Sequence, residues 1–436
     1  DTDRSRGLGD VYKRQMYDVV ICGGGTAGCA AGYIAAKNGL KTLIIEKNIH
    51  LGGSITSALV VPAMKSDTRN INCEFYNEFA KKMSEYGGQI TYSDGNTGWF
   101  NPEIAKIALD SMMKEAGCEV LFGCEVEDAE CYDDNIKKIK ISNGILSLYI
   151  ESNHFVDSTG NSKLGKILNH KFLADKKNEQ PMTLRFNLSG IDMKKFCEWI
   201  MELDKDRDVT TCAQINGELH MSTAYTWDKS KNWALRPVFE AGIRDGIIKE
   251  ADSAYFQVFS VAGMKGTLAF NCPRILSDKE LSPDSIQDVS FAVMEGREQI
   301  WRLYNFVKRY FPGFEEAYIS NIADMPGVRE SSRFEGEYVY SKEDMTASKT
   351  FENPVLHASY PIDIHSYKKD TSTLEKAVND YYLPVESLKS AQFKNLYFAG
   401  RNLSATFEAQ AALRIQTSCF SMGEAVAKEI CKKVRK

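Results

Sequence analysis

The chain has 436 residues, with 54 basic against 59 acidic side chains and a formal charge of −5. Hydrophobic residues make up 43% and charged residues 26%, a balance that excludes a disordered chain, and the length allows two or three cores. The charges form no basic stripe and no apolar run reaches the length of a membrane span, which argues against nucleic-acid partners and a membrane-embedded chain.

Residues 1–15, "DTDRSRGLGDVYKRQ", are polar and without period, and they lack the apolar core of a secretory signal. They are expected to be a non-native or disordered leader, with Met16 as the true start. The eleven cysteines are an odd set with no C-x-x-C pair. Most sit in apolar patterns (Cys22, Cys29, Cys272, Cys419), so the expectation is reduced thiols, a cytoplasmic location and no metal.

Tyr17 to Cys22 is an apolar run of the kind a buried parallel strand needs. Gly23, Gly25 and Gly28 then fit G-x-G-x-x-G: a tight turn, a bare backbone for a pyrophosphate, and close packing of helix on strand. Ala27, Ala30, Ala31, Ile34 and Ala35 give that helix a small apolar face, Gly39 ends it, and "KTLIIEK" supplies a second strand. Glu46 closes the second strand about twenty residues beyond the glycines, where a carboxylate binds a ribose hydroxyl. The motif is thus a dinucleotide site, open at this point to NAD or FAD.

Three further stretches decide for FAD. "HLGGSIT" puts Gly52 and Gly53 beside the pyrophosphate and ribityl chain, and "HFVDSTGNSKLG" (154–165) ends a strand in Thr159, Gly160 and Asn161. "NLYFAGRNLSATFEAQAALRIQTSCFSMGEAVAKEI" (395–430) reads as a strand, a glycine, a loop and a helix. One ligand touched from both chain ends is an extended one. Thr26, Ala27, Lys47, Ser54 and Val126 are counted with these as cofactor contacts.

With "GVRESSRFEGEYVYSKEDM" (327–345), "YPIDIHSYKKD" (360–370) and "NLYFAGRNLSATFEAQAALR" (395–414), the chain resembles the FAD-dependent oxidoreductase family. That family has a glutathione-reductase-type nucleotide domain and is related to fumarate reductase flavoproteins; the likeness runs from about Tyr17 to Ala427. It implies an α/β fold: a Rossmann-like FAD-binding domain built from both chain ends (16–171 and 386–436) and an inserted α+β substrate domain (172–385). It implies further that Gly400 backs the flavin phosphate region and that a loop from Gln416 to Ser418 faces the flavin pyrimidine. The family commonly has His where this chain has Phe407, so a polar role there is absent or moved. A helix N-terminus near the pyrimidine would favour negative charge on a reduced flavin by about 0.3–1 kcal/mol. Thr417 and Ser418 are also good capping residues.

Between 172 and 385 the strand-like runs are "MTLRFNLSG", "YFQVFSVAG" and "GTLAFNCPRI", and the helix-like runs are 193–203, 233–247 and 284–310. No second glycine fingerprint and no redox cysteine pair occur, which argues against a pyridine-nucleotide disulfide reductase. The polar groups inside the family-like stretches are Arg329, Glu330, Arg333, His357, His365, Arg401 and Arg414. Of these, Arg329, Glu330, His365 and Arg401 are the catalytic candidates. Arg329 and Arg401 are fixed cations suited to an anionic substrate or the pyrimidine, and Arg401 doubles as a cofactor contact. Asp363 shares a strand face with His365 and so can orient its imidazole. Arg414 is read first as a lock on backbone carbonyls, and Glu330 as an ion pair with its arginine neighbours. His220 and Tyr225 are weaker candidates. No motif at His50 supports covalent attachment, so FAD is expected to be noncovalent. The reading is a flavoenzyme moving a hydride between a small polar metabolite and FAD, with a separate electron acceptor or donor. A redox-neutral flavoenzyme and a non-catalytic FAD-binding protein stay open beside it.

Overall fold

The protein is described by a computed structural model, which covers residues 16–66, 71–92, 95–174, 180–206, 209–226, 231–365, 373–375 and 380–435. The expected leader, and residues 366–370 of the 360–370 stretch, lie outside the described residues.

The first sheet places Met16–Cys22 between two parallel neighbours, Thr42–Glu46 and Ser147–Asp157. Glu119–Phe122 extends the sheet beyond Thr42–Glu46, also in parallel. Ser147–Asp157 is eleven residues long and serves two partners on its other side. Its first half pairs antiparallel with Asn135–Ser142, and residues 155–157 pair in parallel with Leu396–Phe398. A strand from near the end of the chain is thereby hydrogen-bonded one place away from the first strand. The architecture is α/β; parallel pairing dominates this first sheet, and residues 19–22, Thr42–Glu46 and Leu396–Phe398 are buried on both faces as their apolar runs require.

The helix Thr26–Lys37 lies between this sheet and the closing helix Gln416–Val434, so all of its residues except Lys37 are buried. Small residues make that possible. A Cβ on Gly423 would stand 2.0 Å from the Ala27 carbonyl oxygen, so only glycine lets the two helices approach this closely. The loop expected at Gln416–Ser418 is instead the first turn of this helix, and its N-cap is Ile415 with no side-chain cap. A separate short helix, Phe407–Leu413, precedes it and begins with the buried Phe407.

The second sheet is antiparallel throughout and has six strands: Thr211–Ile215, Glu218–Thr226, Tyr255–Ser260, Leu268–Phe270, Phe186–Ser189 and Tyr318–Ile322. Strand periodicity divides its two faces. Phe186, Leu188, Phe256, Val258, Leu268 and Phe270 join one core with the helices Met193–Leu203, Arg236–Arg244 and Ile286–Tyr310. Arg185, Tyr255, Gln257, Phe259 and Asn271 take the alternate positions and line a cavity on the other face. The helix expected over 233–247 is thus the shorter Arg236–Arg244.

One ion pair ties the long helix to this sheet. Arg302 donates from Nε and Nη2 to the two oxygens of Asp252, at 2.7 and 2.9 Å, and Asp252 is buried. Asp252→Ala is expected to destabilise the fold by about 1–3 kcal/mol, because the half-buried Arg302 loses its two shortest charge-assisted hydrogen bonds and keeps only Glu295 at 3.1 Å and Glu298 at 3.7 Å. Urea unfolding of the purified variant measures this, and an unchanged midpoint would refute it.

Candidate functional site

A cavity of about 1320 Å³ runs between the two sheets. At one end it is lined by Gly23, Gly25, Thr26 and Ala27, where the leading strand passes into its helix. Gly23 has φ +99°, and Ser158 Oγ donates to its carbonyl at 2.7 Å. Gly28 lies behind this lining: its Cβ would stand 1.9 Å from the Gly23 oxygen. The helix begins at Gly25 with no side-chain cap and no acid in its first turn, so its N-terminal N–H groups are free to meet an anion.

The neighbouring walls come from the other expected contacts. Glu46 is buried and accepts from Gly24 N at 2.7 Å and from Asn48 N at 2.8 Å, and each oxygen keeps a further lone pair. Lys47, Gly53, Ser54 and Val126 line the same stretch. Gly52 does not line it; it donates to Gly24 O at 2.8 Å and so holds the two glycine turns together. Asp157 accepts from Thr159 N, Thr159 Oγ1 and Gly165 N, and so fixes the turn that carries Thr159, Gly160 and Asn161 into the lining. Burial pushes the Asp157 carboxyl up.

Arg401 follows Gly400 from the opposite chain end and donates to Asn161 Oδ1 at 2.5 Å. Loss of solvent lowers its pKa to about 10, so it stays a cation at neutral pH. Three buried polar atoms on this wall make no hydrogen bond among the described residues: Nε of Arg401, Nε of Arg414 and Oε1 of Gln416. Together with the bare glycine turns they fit a long ligand rich in acceptors and donors, as a flavin dinucleotide is. Thr417 and Ser418 lie off the lining: Thr417 Oγ1 donates to Met64 O at 3.2 Å, and Ser418 is fully buried.

The other end of the cavity is built from arginines. Arg329 Nη1 donates to Pro181 O at 2.6 Å and to Thr183 Oγ1 at 2.8 Å. Arg185 Nη1 donates to Val61 O at 3.1 Å and to Leu59 O at 3.4 Å. Arg414 donates to Asp363 O at 2.9 Å, as a lock on a backbone carbonyl, and also lies 3.6 Å from the Asp363 carboxylate. Arg274 stacks over the Tyr255 ring, 4.1 Å from its centroid, and Tyr255 donates to Gln257 Oε1 at 2.9 Å.

Asp363 and His365 meet as their spacing suggests, at 3.1 Å. Arg274 Nη2 also lies 2.5 Å from His365 Nδ1. An arginine can only donate, so Nδ1 accepts and Nε2 carries the proton given to Asp363. The imidazole is therefore neutral, with both nitrogens occupied. Burial, then the charges of Arg329 and Arg274, hold its pKa well below the ordinary value. For Asp363, burial alone would raise the carboxyl, but the His365 bond and the charges of Arg414 and Arg329 carry it below the usual carboxylate range.

The remaining candidates lie elsewhere. Glu330 is outside the lining, 3.6 Å from the buried Arg333. His357 pairs with Asp380 at 2.9 Å and stacks on Tyr382, and His50 sits 3.6 Å from Asp324, both off the cavity. Tyr225 stacks on Phe239 in the second core, and His220 is buried beside Tyr92. Sequence reading missed Arg185, Arg274, Tyr255, Gln257 and Asn271; the alternation of Arg185 with the core residues Leu184 and Phe186 was the clearest signal for any of them.

Among known proteins, the chain is 37% identical over 86 residues to a digeranylgeranylglycerophospholipid reductase of Methanococcus vannielii, covering 19% of this chain and 22% of that one. It is 29% identical over 162 residues to a thiamine thiazole synthase of Pyrococcus furiosus, covering 35% of this chain and 60% of that one. The chain thus spans about a fifth and three-fifths of these relatives' lengths. A solved geranylgeranyl bacteriochlorophyll reductase-like protein of Thermoplasma acidophilum superposes with a TM-score of 0.46 at 14% identity, covering 97% of this chain and 79% of that one. The model of one family, FAD dependent oxidoreductase, matches residues 18–432, from the leading strand to the last turns of the closing helix, and the chain belongs to that family.

Proposed function

We propose that the protein transfers a hydride between a small polar, acid-bearing metabolite and noncovalently held FAD. The supporting observation is a single cavity with a bare glycine turn and uncapped helix at one end and an arginine-rich wall at the other. In this reading residues 16–171 and 386–436 hold the cofactor, and 172–385 close over it. When bound, FAD supplies a two-electron acceptor or donor.

The protein's own groups then divide the work. The loop at Gly23–Gly28 takes the pyrophosphate, Glu46 takes a ribose hydroxyl, and Arg401 and Gln416 meet the ring end. Arg329 fixes an acid group of the metabolite, because a guanidinium offers donors in a rigid fork. His365, held neutral, keeps Arg274 in place, and Glu330 supports Arg333. No helix among the described residues is long and apolar enough to cross a membrane.

The test is anaerobic mixing with a metabolite set while flavin absorbance is followed. One class of small anion is expected to bleach the protein, and Arg329→Ala is expected to slow that bleaching by about two orders of magnitude, as removing a desolvated charge partner costs about 2–5 kcal/mol. A protein that purifies without flavin, or an Arg329→Ala variant bleached at the wild-type rate, would sink the reading.

A further inference from the structure

Two of the cavity's arginines stand out by what they bond. Arg185 and Arg329 donate only to neutral oxygens: the carbonyls of Leu59 and Val61 for one, the Pro181 carbonyl and the Thr183 hydroxyl for the other. Among the described residues no carboxylate pairs with either. Arg414, by contrast, has Asp363 at 3.6 Å.

The two unneutralised cations are also neighbours in the fold. Arg329 is bonded to Thr183, and Arg185 lies two residues further along the same chain. Leu184 between them is in the second core, while Thr183 and Arg185 both line the cavity. Positions i and i+2 of an extended chain are roughly 7 Å apart on one face. Gln257 and Asn271 lie beside them: Asn271 N donates to Gln257 O at 2.8 Å, and its side-chain amide donates to Gln257 Oε1, also at 2.8 Å. These two arginines and two amides form a wall of hydrogen-bonding groups that carries two positive charges and no negative one; the nearby Asp363 carboxylate is engaged by His365 and Arg414.

Poorly solvated charges without counter-charge are costly, and a fold keeps them where a ligand supplies the opposite sign. We propose that the substrate is a dianion, its two negative charges bound by Arg185 and Arg329, with Gln257 and Asn271 flanking it. This deepens the function proposed above and rests on it. The glycine turn and uncapped helix at the far end already serve the cofactor's pyrophosphate, so the arginine wall is left for the substrate. Two separate carboxylates or one phosphoryl group would satisfy the same pair, since a guanidinium binds either through paired N–H donors.

The experiment uses the FAD-loaded protein and the flavin absorption spectrum, with no turnover required. It is titrated at constant ionic strength and pH 7.5 with the dicarboxylates from malonate to adipate, with monocarboxylates of matching chain length, and with methyl phosphate. The expected result is that at least one dianion perturbs the spectrum with a Kd at least 30-fold below that of its best monoanionic counterpart. Tight binding by a dicarboxylate of one length assigns two carboxylates, and tight binding by methyl phosphate assigns a phosphoryl group. Arg185→Gln and Arg329→Gln should each weaken that dianion at least 10-fold while keeping their FAD. Equal binding of mono- and dianions, or no perturbation by any probe, would overturn the proposal in a protein that is still yellow and bleached by dithionite. Loss of FAD from both variants together with no dianion preference would assign the arginines to the cofactor instead. A wild-type protein without flavin would overturn the underlying function and not this step alone.

Discussion

Gly28→Ala is expected to yield a colourless protein. The added Cβ would stand 1.9 Å from the Gly23 carbonyl oxygen and 2.6 Å from Ser158 Oγ. Neither neighbour can yield cheaply. Gly23 is held at φ +99° in the turn itself, and Ser158 Oγ is bonded to that same oxygen at 2.7 Å. Relief has to come from moving the turn, and with it the backbone that would face the pyrophosphate. Overpacking of this kind costs about 1–3 kcal/mol in stability, and the larger effect is on retention of the cofactor. Gly32→Ala in the same helix is the control. Its Cβ would meet Ile44 Cδ1 at 2.4 Å and Cγ1 at 2.8 Å, so the overpacking falls on a buried core side chain and not on the backbone of the turn. That variant is expected to stay yellow. The ratio of flavin to protein absorbance after gel filtration decides, and a Gly28→Ala protein carrying a full complement of FAD would contradict the account.

Asp363→Ala is expected to be the most damaging single change at the arginine end. Its carboxylate faces Arg414 at 3.6 Å and receives the His365 proton at 3.1 Å, so its removal leaves a cation and a donor without their acceptor. Breaking such a partly buried set costs about 3 kcal/mol. The pH dependence has a definite sign. The Asp363 carboxyl is depressed in the folded protein, so its contribution is complete above an unfolded pKa of about 4 and is lost as pH falls towards the lower folded value. His365 is depressed as well: below about 6.5 the unfolded ring takes a proton that the folded ring does not, which also lowers stability as pH falls. Wild-type urea midpoints should therefore decline in two stages on acidification, and Asp363→Ala should start lower and show a shallower second stage, since other depressed carboxyls such as Asp344 and Asp288 remain. A variant with the wild-type midpoint and the same acid profile would refute this.

The glycine-turn end of the cavity was legible because its demands are local. A turn this tight needs glycine at 23, the helix packing needs glycine at 28, and Glu46 falls at the end of the adjacent strand by simple spacing. The arginine end was half legible. Arg329, Asp363, His365 and Arg414 stand in distinctive stretches, and the structure brings them to one cavity. Arg185, Tyr255, Gln257 and Asn271 escaped notice although "MTLRFNLSG" alternates polar and apolar residues; "YFQVFSVAG" and "GTLAFNCPRI" break the alternation at Val258-Phe259 and Leu268-Ala269-Phe270. Alternation reveals that a strand has two faces. Which face meets a cavity depends on pairing between strands far apart in sequence, such as Leu268 with Leu188. The start of the closing helix was misplaced for a different reason. Thr417 and Ser418 look like caps, yet the helix begins at Gln416 with no side-chain cap at all. Tertiary packing sets that boundary, and no local signal marks it.

The divided allegiance of Ser147–Asp157 has a consequence for how the molecule is made. Residues 155–157 pair early with the leading strand on one side, but gain their partner on the other side only when Leu396–Phe398 has been synthesised, some 240 positions later. Until then the leading βαβ unit leaves the ribosome with an open edge and without the helix that covers Thr26–Lys37. Cofactor capture is thus expected to come late in biogenesis: nascent chains arrested before residue 396 should leave flavin fluorescence unquenched, and release of the full chain should quench it.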